Sequence, residues 1–549
     1  MPSSALLLPI ALPLVAAGVI AALGAAGLEV GRLVSAGAAW AAVASILALW
    51  LPVRSTQELI LGQMGFGSGF DLRLDAVGFA FGLMVSVPAA VVLTLQKRSW
   101  QEAALATLAL GASMAAVEAG GVVLTAIAGG AAATAVVLVL DTEDPRARRP
   151  SWAMLLAGWL ALAWAGTILQ VRGGTAVYSA VPVSSITWQV ASLLAVAALL
   201  ASGLLPWRSW PSQVWSRPSL RAAGIALATL YPLGFYILVR LYDMGDGRYP
   251  LPAFDGVLSV LGLAVALVAA LRAQGATTRR EFFGEVVPVF GGYALMSLAL
   301  GTPLGLSAAL VALATTAALA AAVALLPDRA SIASLAVVAA AVGIPPSLAF
   351  GSRVLGIEAT FEAGDFLGLI GLGGTLVWVL MMVAGARAAG LPAGRGRPVA
   401  ETSPAVALGI AVATLVAGPA LALFQASFAN PAAAEVMPSA GSLGGSLQSV
   451  ATVSTVLPAV ALFVPLLIIG SAAYLASGSS SQRAEARPPV LAPVAPRALA
   501  GWREAVAAAR VPEQYRTILN LRELEAAASG GRPVLWLAAL VALAFAVTR

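Results

Sequence analysis

Apolar runs of about twenty residues recur along almost the whole chain, separated by short loops that carry most of its charge. In lipid every backbone N–H and C=O must be satisfied within the segment, so each such run is read as a membrane-spanning α-helix. Candidate spans fall at 5–25, 31–51, 75–95, 103–118, 120–140, 152–171, 184–205, 219–242, 254–273, 283–300, 303–326, 331–357, 366–388, 402–425, 449–476 and 533–548. Only 10% of the 549 residues are charged and 60% are hydrophobic, with a mean hydropathy of +0.93. Soluble domains carry roughly 25% charged residues, so this surface has too few polar groups to face water. The sequence predicts an all-α integral membrane protein of about sixteen transmembrane helices.

Cysteine and histidine are both absent. No disulfide, thiolate metal site or iron–sulfur cluster can be built from this chain, and the usual proton shuttle near neutral pH is missing. The net charge of +6 is not a nucleic-acid footprint, because no basic helix or aromatic–basic patch accompanies it. The cations sit instead in alternate loops: Lys97 and Arg98; Arg146, Arg148 and Arg149; Arg208, Arg217 and Arg221; Arg272, Arg279 and Arg280; Arg329; Arg387, Arg395 and Arg397. Successive clusters are an even number of spans apart, and the opposite loop 358–365 is acidic. The positive-inside rule then puts the arginine-rich side in the cytoplasm and both termini outside, in a multi-pass protein of the inner (cytoplasmic) membrane. The first span does not read as a signal peptide, since it lacks a basic leader and Pro9 and Pro13 interrupt it. Segment 478–532 opens Gly-Ser-Ser-Ser, passes a proline-rich run and becomes a charged pattern that fits either an amphipathic surface helix or a solvated linker. The run Gly65-Phe-Gly-Ser-Gly69 follows no strand signal and is not a nucleotide fingerprint.

Ionisable groups at membrane depth are costly to bury and therefore informative. Glu118, at the outer end of the fourth span, is either an interfacial carboxylate reaching headgroups or a functional acid. Glu285, beside Arg279, Arg280 and Glu281, is either part of an ion-pair cluster at the cytoplasmic edge or a buried site. Arg353 follows about twenty apolar residues and precedes Glu358; it cannot relay a proton by titration, but it can set a potential or pair with a carboxylate, with Glu362 and Asp365 the nearby candidates. Pro232 lies inside the eighth span, and Pro345 and Pro346 inside the twelfth. Helix breaks at membrane depth mark either packing kinks or cavities and ion paths.

Four stretches carry a family resemblance. They are Leu72-Arg-Leu-Asp-Ala-Val-Gly-Phe79, with Asp75 at its aspartate; Pro206-Trp-Arg-Ser-Trp-Pro211; Thr278-Arg-Arg-Glu-Phe-Phe-Gly-Glu-Val-Val-Pro-Val-Phe-Gly291; and Gly343-Ile-Pro-Pro-Ser-Leu-Ala-Phe-Gly-Ser-Arg353, continuing to Glu362-Ala-Gly364. In order and spacing they resemble the antiporter-like membrane subunits of respiratory complex I, Mrp cation/proton antiporters and membrane-bound group 4 hydrogenases. The resemblance implies N-terminal helices over 1–102 and two inverted five-helix repeats, 103–242 and 254–388, with broken seventh and twelfth helices. It further implies helices 14 and 15 over 402–476, a lateral helix within 478–532 and a last span in 533–549.

The resemblance also implies a mid-membrane row of charged residues that passes protons or sodium. In this sequence the row falls near Gly129, Ala201, Pro232 and Thr315, and only its last position is charged, as Arg353. Participation in proton or sodium translocation within a complex I-like (NADH–quinone oxidoreductase), hydrogenase or Mrp-type assembly is one expectation. A structural subunit of such a complex without its own path is another. A stand-alone secondary transporter and a membrane partner of an inorganic-carbon uptake system are further alternatives. The expected partners are other membrane subunits and the lipid bilayer. The chain itself is expected to hold no cofactor, leaving redox centres, quinone and catalytic metals of the respiratory chain to other subunits.

Overall fold

A computed structural model describes residues 3–437, apart from 64–68, 144–151, 205–209, 216–220, 246, 248–251, 328–330, 365, 392–402 and 419. The expected spans 449–476 and 533–548 and the expected surface helix within 478–532 lie outside the described residues, as do Asp365 and the loop cations Arg146, Arg148, Arg149, Arg208, Arg217, Arg329, Arg395 and Arg397.

Two helices, α1 (Leu8–Ala25) and α2 (Gly31–Trp50), lead into an antiparallel hairpin of β1 (Gln57–Gln63) and β2 (Gly69–Leu74). Then come α3 (Ala76–Leu95), α4 (Trp100–Val117), α5 (Val122–Glu143), α6 (Trp152–Gly173), α7 (Trp188–Ser202), the short α8 (Trp210–Trp215), and α9 (Arg221–Thr229) with α10 (Tyr231–Met244). The second stretch comprises α11 (Pro252–Gln274), α12 (Arg279–Leu298), α13 (Pro303–Ala324), α14 (Ile332–Val342), α15 (Leu348–Ala363) and α16 (Leu367–Ala389). Then follow α17 (Pro404–Val416), α18 (Leu421–Phe424), a π-turn and α19 (Asn430–Val436). Among the described residues, nine segments are long and apolar enough to cross a bilayer. Apart from one two-stranded hairpin among the described residues, the protein is an all-α, multi-pass membrane protein.

Burial separates an inner from an outer layer. The most apolar window of 221–244 is 100% enclosed and those of α13 and α3 are 89% and 83% enclosed, whereas α1, α2 and α11 each reach only 39%. Leu33, Val171 and Leu369 on the outer helices stay open, as expected of surface that meets lipid tails.

Several of the expected spans are interrupted, and the chain chemistry explains where two of the helices stop. The seventh stops at Ser202, capped by Gly203 in the left-handed region at φ +67°. The twelfth stops at Val342, capped by Gly343 at φ +75°, and resumes at Leu348 with the Ser347 hydroxyl accepting from the Phe350 N–H. A left-handed C′ glycine ends a helix without the Cβ clash that other residues suffer. Pro345 and Pro346 lie in that gap. The backbone at Gly418 passes so near the Pro346 carbonyl that a Cβ there has no room.

Candidate functional site

A buried polar cluster lies at the hairpin end of the bundle. Asp75 is the N-cap of α3, its Oδ1 accepting from the Gly78 N–H at 2.7 Å. The Arg240 guanidinium, one turn from the end of α10, donates to both Asp75 oxygens at 2.7 and 2.9 Å and to Asp243 at 2.8 Å. Its Nε donates to the Tyr236 hydroxyl, and the Tyr178 and Tyr236 rings lie 5.2 and 5.0 Å from its Cζ. Arg73 on β2 lies 2.9 Å from Asp75 and 3.2 Å from Glu435 of α19. Asp75 and Arg240 are 0% and 1% exposed, so water screens neither. The bidentate geometry and flanking rings are what a desolvated arginine requires. Outside the spans, on β2, burial raises the Asp71 carboxyl above its ordinary value, and the Glu58 charge adds to this.

Arg240 carried no signal in the sequence beyond being a charge near the end of an apolar run. The pattern Arg-Leu-Tyr-Asp243 is the trace that marks it, since an arginine with an aspartate three residues on can reach one shared site.

Arg353 occupies a second, unlike setting, on α15 just past the twelfth-span break. Its guanidinium donates to the carbonyls of Ala341 (2.9 Å) and Val342, which α14 leaves unpaired where it ends. Trp378 of α16 donates to the same Val342 carbonyl at 3.1 Å. Phe290, Tyr293 and Trp378 present rings 5.2, 5.7 and 5.9 Å from its Cζ. Gly343 is required on a second count here, because a Cβ would stand 2.4 Å from Arg353 Nη1. Of the nearby carboxylates named from the sequence, Asp365 lies outside the described residues. Among the described residues no carboxylate pairs with Arg353, and its Nε has no acceptor. The negative end of the α14 dipole takes that role.

The interfacial reading of Glu118 is corrected. It follows α4 and is 0% exposed with neither carboxyl oxygen hydrogen-bonded, so it does not reach toward headgroups. Its backbone carbonyl accepts from the Arg73 N–H at 2.7 Å, which ties α4 to the hairpin. Glu285 is buried on α12, six and five residues after the buried Arg279 and Arg280. Pro232 is not mid-helix: the split between α9 and α10 puts it in the first turn of α10, where its missing N–H disrupts no helical bond.

The remaining positions of the expected row are filled with apolar or self-satisfied groups. At Gly129 a Cβ would stand 2.2 Å from the Trp159 ring, so the indole of α6 occupies the space a longer side chain needs. Trp210 caps the broken seventh helix, donating to the Ala201 carbonyl at 3.0 Å. Thr315 is fully buried and returns its hydroxyl to the Val311 carbonyl at 2.7 Å.

This arrangement defines a class: a multi-pass membrane protein with interrupted helices, in which Asp75 and Arg240 form a buried ion pair and Arg353 caps a helix end. No protein-family model matches the sequence, and no curated protein matches it. Solved structures do. A chain of the "Mrp complex from Dietzia sp. DQ12-45-1b" superposes with a TM-score of 0.73 at 18% identity, over 99% of this chain and 63% of that one. This protein thus spans just under two thirds of that chain's length. A chain of the "membrane-bound sulfane sulfur reductase (MBS), an archaeal respiratory membrane complex" gives a TM-score of 0.62 at 19% identity, over 75% of this chain and 76% of that one. A chain of "respiratory complex I from Thermus thermophilus with bound NADH" gives 0.63 at 19% identity, over 80% and 98%. At these identities the likeness is one of fold. The fold is one shared with chains of multi-subunit membrane complexes.

Proposed function

We propose that this chain is an antiporter-like membrane-arm subunit of a complex I-like or Mrp-like assembly, and that it serves there as a sealed scaffold without an ion path of its own. The observation that carries the second half is Trp159 stacked into the space beside Gly129, where the row requires an acid. A row made of glycine, alanine, proline and threonine with one permanent cation has nothing to titrate. The first half draws on the shared fold and the four motifs. On this reading the protein lies in the cytoplasmic membrane with its hairpin end outside. Redox centres belong to its neighbours.

Two measurements test it. Gentle-detergent purification of the tagged chain, with partners identified by mass spectrometry, is expected to recover other membrane subunits; a chain that purifies alone sinks the assembly reading. The full chain reconstituted in liposomes is expected to hold a pH or sodium gradient as well as empty vesicles do. The conducting alternative, with neighbours supplying the missing groups, draws on Glu118, a buried carboxyl with both oxygens unbonded.

A further inference from the structure

The carbonyls at the end of a half-helix, together with aromatic faces, make an environment suited to a monovalent cation. Around Arg353 both are present: the Ala341 and Val342 carbonyls on one side, and Phe290, Tyr293 and Trp378 around it. What fills the space is the protein's own guanidinium, without a carboxylate among the described residues to neutralise it. A buried ion pair would explain the arginine as structural compensation, but among the described residues its acceptors are carbonyls and its neighbours rings. Next to it is a small apolar cavity between α8, α12, α13 and α14, lined by Trp215, Phe283, Phe290, Leu319 and Ala341. Phe290 and Ala341 belong to both the cavity wall and the Arg353 site, so one residue layer separates the two.

We propose that the twelfth-span break is an intramembrane site for a monovalent cation, preferring guanidinium, and that Arg353 occupies it as a tethered blocker. The inference rests on the sealed-scaffold reading and names the group that keeps the second half sealed. Two consequences follow from the geometry. Free cations are excluded because the site is full and the resident charge repels them. Truncating the side chain at Cβ leaves the carbonyls and rings in place and empties a volume shaped for guanidinium, whose planar fork matches paired acceptors better than a spherical ion does.

The test uses the purified full chain in phosphatidylethanolamine–phosphatidylglycerol liposomes, with sodium and guanidinium chloride as probes. Wild type and Arg353→Lys, which keeps a cation in place, are expected to stay tight. Arg353→Ala is expected to raise sodium influx roughly tenfold or more, since removing a like charge at membrane depth removes more than a decade of barrier. Millimolar guanidinium is expected to suppress that leak and to raise the melting temperature of Arg353→Ala in detergent, but not that of wild type. Arg353→Met, which keeps the stem against the rings, is the second variant should alanine fail to reach the membrane. Variants that remain tight and whose melting ignores guanidinium overturn the proposal while leaving the scaffold reading intact. Failure of both variants to fold even with guanidinium present also overturns it, by making Arg353 a folding cap alone. Conduction by the wild type instead sinks the scaffold reading and this inference with it.

Discussion

Replacing Arg240 by methionine, Asp75 by leucine, and both together isolates the pair that joins α10 to α3. The two side chains meet through contacts of 2.7 and 2.9 Å and are 1% and 0% exposed, so a charge left alone there has no water to turn to. Breaking such a pair from one side costs about 3–5 kcal/mol, because the other charge stays buried. Asp75→Leu adds about 1 kcal/mol for the lost cap on the Gly78 N–H. Arg240→Met keeps an unbranched stem between Tyr178 and Tyr236, so little packing is lost. The double variant removes both charges. Arg73 still has Glu435 at 3.2 Å, and Asp243 is partly exposed at 13%. Replacing a whole buried pair with apolar groups is often close to neutral, so the double variant is expected to lose only about 2 kcal/mol, most of it the cap and the disturbed neighbours. In reversible SDS unfolding of the full chain it should therefore be more stable than either single variant. Losses that simply add, leaving the double variant the weakest of the three, would refute the account that compensation of buried charge governs this site.

Two further outcomes are expected. Gly129→Leu drives a side chain into the Trp159 ring and should cost about 1–3 kcal/mol, with Trp159→Ala in the same chain recovering part of the loss; paired unfolding curves check this. Glu118→Gln should leave both the unfolding midpoint and gradient retention unchanged, because neither oxygen accepts a hydrogen bond; a lost proton leak would instead favour the conducting reading.

How far the sequence could be read depended on whether a feature was local. The twelfth-span break was legible because Gly343-Ile-Pro-Pro346 combines a left-handed cap with two residues that lack a donor. The spans were legible because bilayer thickness fixes their length. The hairpin was not anticipated. Its alternation, Phe70, Leu72 and Leu74 against Asp71 and Arg73, is short and falls between two strong apolar runs. Asp75 could be singled out from its motif, but its partner Arg240 lies 165 positions away, and nothing local announces the pairing. The acceptors of Arg353 are hard to read from the sequence for another reason. Charge patterns point to carboxylates, whereas the acceptors are backbone carbonyls released by the break, which every residue type carries. Trp159 over Gly129 is a contact across two helices that only packing reveals.

The spacing of the hairpin-end ion pairs also bears on how the chain is made. Asp75 leaves the ribosome 165 positions before Arg240, and Glu435 follows Arg73 by 362. At about 5–20 residues per second, Asp75 waits roughly 8–33 s for its deepest counter-charge. During that interval Asp75 has, of its partners in the fold, only Arg73 and the Gly78 N–H available. Insertion of the first three helices is thus provisional until α10 emerges, and the arrival of α19 closes the assembly from the other end of the described chain. A nascent chain arrested before α10 is expected to present Asp75 to solvent, where the insertion and quality-control machinery meets it first.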